Sequence, residues 1–195
     1  MITLTVPLSG FSPTMLEWGG VQRPALGGKT TRVNRLGSRF AAQFAVPTMS
    51  VEQGRGFVAD LLRARFEGAS VALPLGYERQ GAPGKAAVAA SAVSGGTSVP
   101  LEAVNPGWVA KKGYWLNVTD GVDQFLHQIA ETVVTPSTGI VTLTIVPELR
   151  VSLADGSAVN LAAPVINGWV ADDSIAWDMS LSRHLDFGFT VEESR

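Results

Sequence analysis

The most constraining stretch of this 195-residue chain runs from Arg32 to Gly68, where an alternating segment leads straight into an amphipathic one. Phe40, Ala42, Phe44 and Val46 point one way, and Ala41, Gln43 and Ala45 the other. That two-residue period predicts a long strand, 32–46, with one buried face. Pro47 is expected to end it, because proline brings no N–H to a ladder. Ser50 is a natural N-cap, and Gln53 completes an S-x-x-Q capping box. Val51, Val58, Leu61, Leu62 and Phe66 then recur at helical spacing, with Arg55, Asp60, Arg63 and Glu67 on the other face. Gly54 and Gly56 weaken the first turns by about 1 kcal/mol each relative to alanine. Gly68 falls where a helix end favours positive φ. The stretch therefore predicts a sheet with one helix, 50–67, laid on it.

Apolar residues make up 46% of the chain and charged residues 16%, which supplies a core and argues against disorder. The net charge of −2 speaks against specific nucleic-acid binding. The absence of cysteine excludes disulfides, thiolate catalysis and Cys-ligated zinc, and fits assembly in a reducing cytoplasm. The opening MITLTVPLSGF has no basic n-region followed by a long apolar stretch, so no signal peptide is expected. The uncharged run Ala86 to Leu101 is Ala/Ser/Gly-rich and shorter than the ~20 apolar residues of a membrane helix, so no membrane anchor is expected. So few charges suggest either a turn-rich β domain or a surface partly covered by neighbouring copies.

Ile2, Leu4 and Val6 alternate with Thr3 and Thr5 as a first strand, and Leu16 to Pro24 suits a second. Val71 to Leu75 reads as a short apolar strand. From Gly76 to Pro100 periodicity fades among small residues and glycines, as in a loop-rich linker into an inserted module. Three hairpins are expected in that module: Tyr114–Val118 turning at Thr119-Asp-Gly121, Gln124–Val134 with Ile140–Val146 about Pro136–Gly139, and Val151–Leu153 with Val159–Leu161 about Asp155-Gly156. Hairpins so closely spaced imply antiparallel pairing and a small barrel or sandwich. Ile175, Trp177, Met179 and Leu181 alternate, then Leu185, Phe187, Phe189 and Val191 after a polar turn at 182–184. The last strand matches 40–46 in spacing, so the two are expected to pair. Gly107-Trp-Val-Ala110 and Gly168-Trp-Val-Ala171 echo each other as turn-to-strand entries at the module's ends.

The expected fold is thus mainly β (α+β). An antiparallel β-sandwich belt domain with one amphipathic helix comprises 1–75 and 166–195. An inserted small antiparallel β-barrel, OB-like, comprises 76–165.

Chemical signatures are sparse. His127 sits inside an alternating strand and His184 at a turn, both with structural roles, and no H-x-x-x-H or H-E-x-x-H spacing occurs. No G-x-S-x-G elbow is present. Ala25-Leu-Gly-Gly-Lys-Thr30 ends like a phosphate loop, but Arg23 stands where its first glycine belongs. Asn117, Asp120 and Asp123 lack the spacing of a calcium loop and suit a hairpin turn. Asp172, Asp173 and Asp178 suit a solvated loop. No catalytic, cofactor or metal residue is assigned. Arg23, Lys29, Arg32, Arg35 and Arg39 fit either a solvated hairpin or a subunit interface where they meet a neighbour's acids. Trp18, Trp108, Trp115, Trp169 and Trp177 suit the core, with Trp108 and Trp169 nearer the surface.

Several segments together resemble a known family. They are Arg32-Val-Asn-Arg-Leu-Gly-Ser-Arg-Phe40 leading to Val46-Pro-Thr-Met49, Pro106-Gly-Trp-Val-Ala-Lys-Lys-Gly-Tyr-Trp115, Gln124-Phe-Leu-His127, Thr144-Ile-Val-Pro-Glu-Leu-Arg150, Pro164-Val-Ile166 and the closing Val191-Glu-Glu193. In these the chain is similar to tail-tip proteins of siphovirus-type phages and prophages, above all distal tail proteins. The resemblance implies a homo-oligomer, a six-fold ring of belt domains joining the tail tube protein to the tail hub protein. The inserted domain would hang outside as a docking point for tail fibre or receptor-binding proteins. It places the chain in the virion tail, assembled in the host cytoplasm, with no enzymatic activity. The insertion is short for a lectin domain, so host-sugar recognition is not carried over. The expected subunit-interface residues are Arg32, Arg35, Arg39, Phe187 and Phe189. Alternatives are a tail-tube or tail-terminator subunit, a saccharide- or receptor-binding module using Trp108, Trp115 and Trp169, and a hydrolase using Asp120, Asp123 and His127.

Overall fold

The computed structural model describes residues 1–5, 7–33, 35–75, 80–171, 178–179 and 184–194, with backbone alone for 178–179 and 184–187. In chain order the elements begin with β1 (Ile2–Thr3), β2 (Gly10–Leu16), β3 (Gly20–Gln22), β4 (Thr31–Val33), β5 (Arg39–Ser50), α1 (Val51–Glu67) and β6 (Ala69–Ala72). Then come β7 (Gly84–Val88), β8 (Ser98–Val104), β9 (Val109–Ala110), β10 (Trp115–Asp120), β11 (Asp123–Ile129), β12 (Val133–Val134), β13 (Val141–Val146) and β14 (Val159–Asn160). The chain closes with β15 (Val165–Val170), β16 (Asp178–Met179) and β17 (His184–Glu193).

Among the described residues the fold is mainly β with one helix, and only the β1–β6 strand pair is parallel. One sheet runs β1-β6-β15-β17-β5-β2, with β16 beside β17, so strands from both ends of the chain share it. A second runs β14-β10-β11-β13-β8-β7. It nearly closes into a barrel, because Val88 donates to the Ser157 carbonyl at 2.9 Å and Gly156 to the Val88 carbonyl at 2.8 Å. The β3–β4 hairpin forms a two-stranded sheet of its own.

The anchoring stretch folds largely as its pattern dictates. Phe40, Ala42, Phe44 and Val46 are buried, and β17 pairs with β5 from His184↔Ser50 to Glu192↔Ala41. Phe189 stacks on Phe44 at 5.3 Å and meets Phe57 at 5.7 Å. Two expectations are corrected here. The strand 32–46 is two strands, because Thr31–Val33 pairs with Gly20–Gln22 and the chain turns at Gly37, whose φ of 136° suits glycine. Pro47 does not end β5, which continues to Ser50. With Met49 opposite Leu185 and Val46 opposite Phe187, Pro47 and Thr48 together face one residue. That is a bulge, where proline's missing N–H costs little.

The helix stripe is also rotated. Gly54, Phe57, Val58, Leu61 and Ala64 are buried, while Leu62 is exposed and Phe66 is 81% exposed. The cap is as expected in part: the Gln53 N–H donates to Ser50 Oγ at 3.4 Å, but the Gln53 side chain accepts from Ser50 Oγ at 3.2 Å instead of reaching back to the backbone. Gly68 has φ 83° with an extended ψ of 154°, and its N–H closes the helix on the Ala64 carbonyl at 2.8 Å.

In the module the first hairpin forms, with Asp120 opposite Asp123 and Gly121-Val122 as its loop. The second holds as adjacency, β11 beside β13. The third does not form. Leu153 bridges to Ala92 and β14 pairs with β10, so this segment closes the barrel rather than folding on itself. The expected linker contains β7, whose Ala86 and Val88 are small enough to line the barrel core. The alternation at 175–181 lies outside the described residues, apart from the backbone of β16.

Candidate functional site

Two places concentrate polar and aromatic side chains: the basic arm between β2 and β5, and the junction between barrel and sheet. In the arm, Arg32 forms an ion pair with Glu17. Arg35 lines a cleft of about 130 Å³ that also takes in Met15, Glu17, Ser38 and Glu148. Arg39 donates from Nε to Glu192 Oε1 at 3.0 Å, and its guanidinium lies 5.3 Å from the centre of the Trp18 ring. The three arginines therefore sit along one side of the molecule, but two of them meet acids of their own chain. Trp18, Val21, Leu26 and Leu36 are exposed around them, Leu26 completely.

Phe187 pairs through its backbone with Val46, and its side chain lies outside the described residues. Phe189 is 2% exposed, so this ring belongs to the core of its own sheet rather than to a surface a neighbour could touch. Among the tryptophans, Trp108 is buried and donates from Nε1 to the Gln80 carbonyl at 2.6 Å, while Trp18 and Trp169 are about half exposed. Trp177 lies outside the described residues. Asp120 and Asp123 close one end of the β10–β11 hairpin and His127 lies four residues along β11, about 13 Å away at strand rise. The three are not brought together. Among the described residues no group of three or more His, Asp or Glu side chains could hold a metal ion.

The junction is built on the β10–β11 hairpin, which is buried on both faces. Leu116, Val118, Phe125 and Ile129 enter the barrel core, whereas Leu126 and the half-buried Trp115 enter the core of the sheet. Trp115 meets Phe40 edge-on at 4.9 Å and Phe11 at 6.0 Å. Asn117, fully buried, accepts the Val165 N–H at 2.6 Å and donates to the Val165 carbonyl at 2.8 Å. Gln80 accepts the Trp115 N–H at 2.5 Å and donates to the carbonyls of Trp115, at 2.7 Å, and Leu161.

At the centre lies Glu193, the last residue of β17. Its Oε1 accepts the Leu126 N–H at 2.7 Å, its Oε2 accepts the Phe40 N–H at 3.2 Å, and it forms a buried ion pair with Arg150. The Arg150 guanidinium also lies 4.8 Å from the centre of the Phe125 ring. His127 is buried close by. Its Nδ1–H donates to the Pro147 carbonyl at 2.9 Å, since a carbonyl can only accept, and Nε2 has no partner among the described residues.

Burial governs the electrostatics of this cluster. It pushes His127 down to about 4, against the Pro147 hydrogen bond, which favours the charged ring, and the Arg150 charge adds to the fall. Burial likewise raises the Glu193 carboxyl, although Arg150 and the two backbone N–H groups pull the other way. It lowers Arg150 against the pull of Glu193. Desolvation thus outweighs attraction in this pair, as is common for buried ion pairs.

No functional weight was read in the sequence for Glu193, Arg150 or Gln80, and Asn117, expected at a hairpin turn, lies within β10 with its side chain on Val165. For Glu193 a signal existed: strand parity puts it on the same side as Val191, facing inward. For Arg150, in a loop, there was none. No protein-family model matches the sequence, and no curated protein matches it.

Proposed function

We propose that this chain is a structural component of a phage-type tail tip, a distal tail protein. In this reading copies of the helix-backed sheet assemble into a six-fold ring between tail tube and hub, and the barrel is a peripheral docking domain for fibre or receptor-binding proteins. The observation that carries the reading is the arm at 17–36. Its strands pair only with each other among the described residues, and it exposes Trp18, Val21, Leu26 and Leu36 beside Arg23, Lys29 and Arg35. Clustered exposed apolar side chains mark a contact surface, and arginine and tryptophan are enriched in such surfaces. Pro13, midway along the edge strand β2, withholds an N–H from any strand that would extend the sheet there. Neighbours would accordingly meet through side chains of the arm.

The test is imaging by negative stain, with mass photometry, of the protein alone and co-expressed with the products of its neighbouring genes. Closed rings of uniform copy number are expected, lost in a folded Trp18→Asp/Leu26→Asp variant. A monomer in every combination overturns the reading.

One observation favours a second reading, saccharide or receptor binding. The half-exposed Trp169 borders a cleft of about 350 Å³ that also takes in Arg39 and Glu192. Glycan-array binding abolished by Trp169→Ala would support it, and no binding to any glycan would dismiss it.

A further inference from the structure

We propose that Glu193 and Arg150 act as an orientation latch, selecting one pose of the barrel on the helix-backed sheet from several that the apolar contact alone would allow. The joint has two unlike halves. Trp115, Phe11, Phe40 and Leu126 form the apolar half, and apolar burial is non-directional, so this half tolerates sliding and tilting. The polar half is directional. Both carboxylate oxygens of Glu193 are engaged, one by an N–H of the barrel strand β11 and the other by an N–H of the sheet strand β5. The guanidinium that meets this carboxylate comes from the barrel side, on the loop after β13.

A slide of one residue along β11, about 3.3 Å, would carry the Leu126 N–H out of hydrogen-bond reach of Glu193. The other polar tie, Asn117 to Val165, starts from the same cross-strand pair, Asn117↔Leu126. It lies only a few residues from where the chain itself passes from β14 into β15. That tie is a pivot, whereas Glu193 is 67 residues from Leu126 in sequence and holds the free side. A buried ion pair seldom adds stability over well-packed apolar side chains. What Glu193 and Arg150 contribute is the choice of pose.

The chain has no cysteine, so two spin labels can be placed without ambiguity. Arg55→Cys on the exposed face of α1 and Val122→Cys at the tip of the β10–β11 hairpin, where Val122 is 94% exposed, report the distance between the two bodies. Double electron–electron resonance should give one narrow distance in the otherwise unaltered protein. In Arg150→Met/Glu193→Leu the melting temperature should fall, because the Leu126 and Phe40 N–H groups lose their acceptor, and the distance distribution measured well below the transition should become at least twofold wider or gain a second maximum. A distribution as narrow as the parent's overturns the latch. If the double variant does not fold, the same labels on Glu193→Gln decide. This side chain keeps the shape and can still accept one N–H, so widening supports the proposal and an unchanged single distance overturns it.

Discussion

The barrel and the helix-backed sheet solve the same problem, hiding one face of a β layer, by opposite means. The barrel curls one stretch of chain almost onto itself. Its core is mostly aliphatic, with Val99, Leu101, Leu116, Leu143 and Ile145 nearly inaccessible, and β7–β8, β10–β11 and β11–β13 join strands close in sequence, whereas β8–β13 and β10–β14 close the longer loops. The sheet gathers β1 and β2 from the start of the chain and β15 and β17 from its end around β5. An aromatic row, Phe40, Phe44 and Phe189, runs beneath α1, which adds Phe57 to it, and beneath the β10–β11 wall. A nearly closed barrel leaves little ladder unpaired and relies little on distant parts of the chain. The open sheet must import both its last strand and part of its cover, which makes it the region more sensitive to change and the one with surface left for neighbours.

The sharpest way to break this comparison is to remove residues 184–195. β5 then keeps only β2, which reaches no further than Ala45, and Phe44 loses Phe189. Calorimetry should show the transition of the sheet abolished while one belonging to the barrel persists. An unaltered melting profile would mean that the sheet does not depend on its final strand.

Next in size is Gly168→Ala. An added Cβ would lie 2.8 Å from Glu193 Cα and closer still to the Glu192 carbonyl, so β15 and β17 must part. Overpacking against backbone should cost more than about 3 kcal/mol in denaturant titration. A loss below 1 kcal/mol would show that the two strands are less closely fitted.

The junction gives a pH test. The folded pKa of His127 is about 4 and its ordinary value 6.5, so between these the unfolded chain binds a proton that the folded chain refuses. The contribution is complete above about pH 6.5 and falls as pH drops toward 4, by roughly 3 kcal/mol at about 1.4 kcal/mol per pH unit. His127→Gln can still donate to the Pro147 carbonyl and should show a correspondingly shallower loss over this window. Equal slopes would remove His127 as the acid-sensitive group.

The smallest expected effect sharpens the contrast between glycines. Gly56 lies in α1 with nothing within 4 Å of an added Cβ. Gly56→Ala should raise stability by about 0.5–1 kcal/mol in the same titration, because the helix gains propensity and no clash. A loss there would mean that this helix face is covered.

Where one face of an element is solvated and the other buried, the residues alone sufficed. The alternation at 40–46, the Ser50 cap, the Thr142 and Thr144 alternation of β13 and the pairing of the final strand with β5 were all legible in this way. Failures cluster where a partner remote in sequence decides. Phe66 has the hydrophobicity of a core residue but stands on the flank that α1 turns from the sheet, while Ala64 and Gly54 pack against it. Leu153 had a local hairpin partner on paper and took Ala92 instead. The candidate site was partly legible: the basic arm was visible as a charge cluster, but the self-pairing of Arg32 with Glu17 and Arg39 with Glu192 was not.

By itself the sequence determined that this is a cysteine-free, sparsely charged β protein with one capped helix, because periodicity and capping are local properties of neighbouring residues. Only the tertiary structure decided that β10–β11 would be buried on both faces, that Glu193 and Arg150 would form a buried ion pair against it, and that His127 of β11 would be buried near Arg150. Burial of a charge is a property of what surrounds it, and here the surroundings come from strands more than forty residues apart.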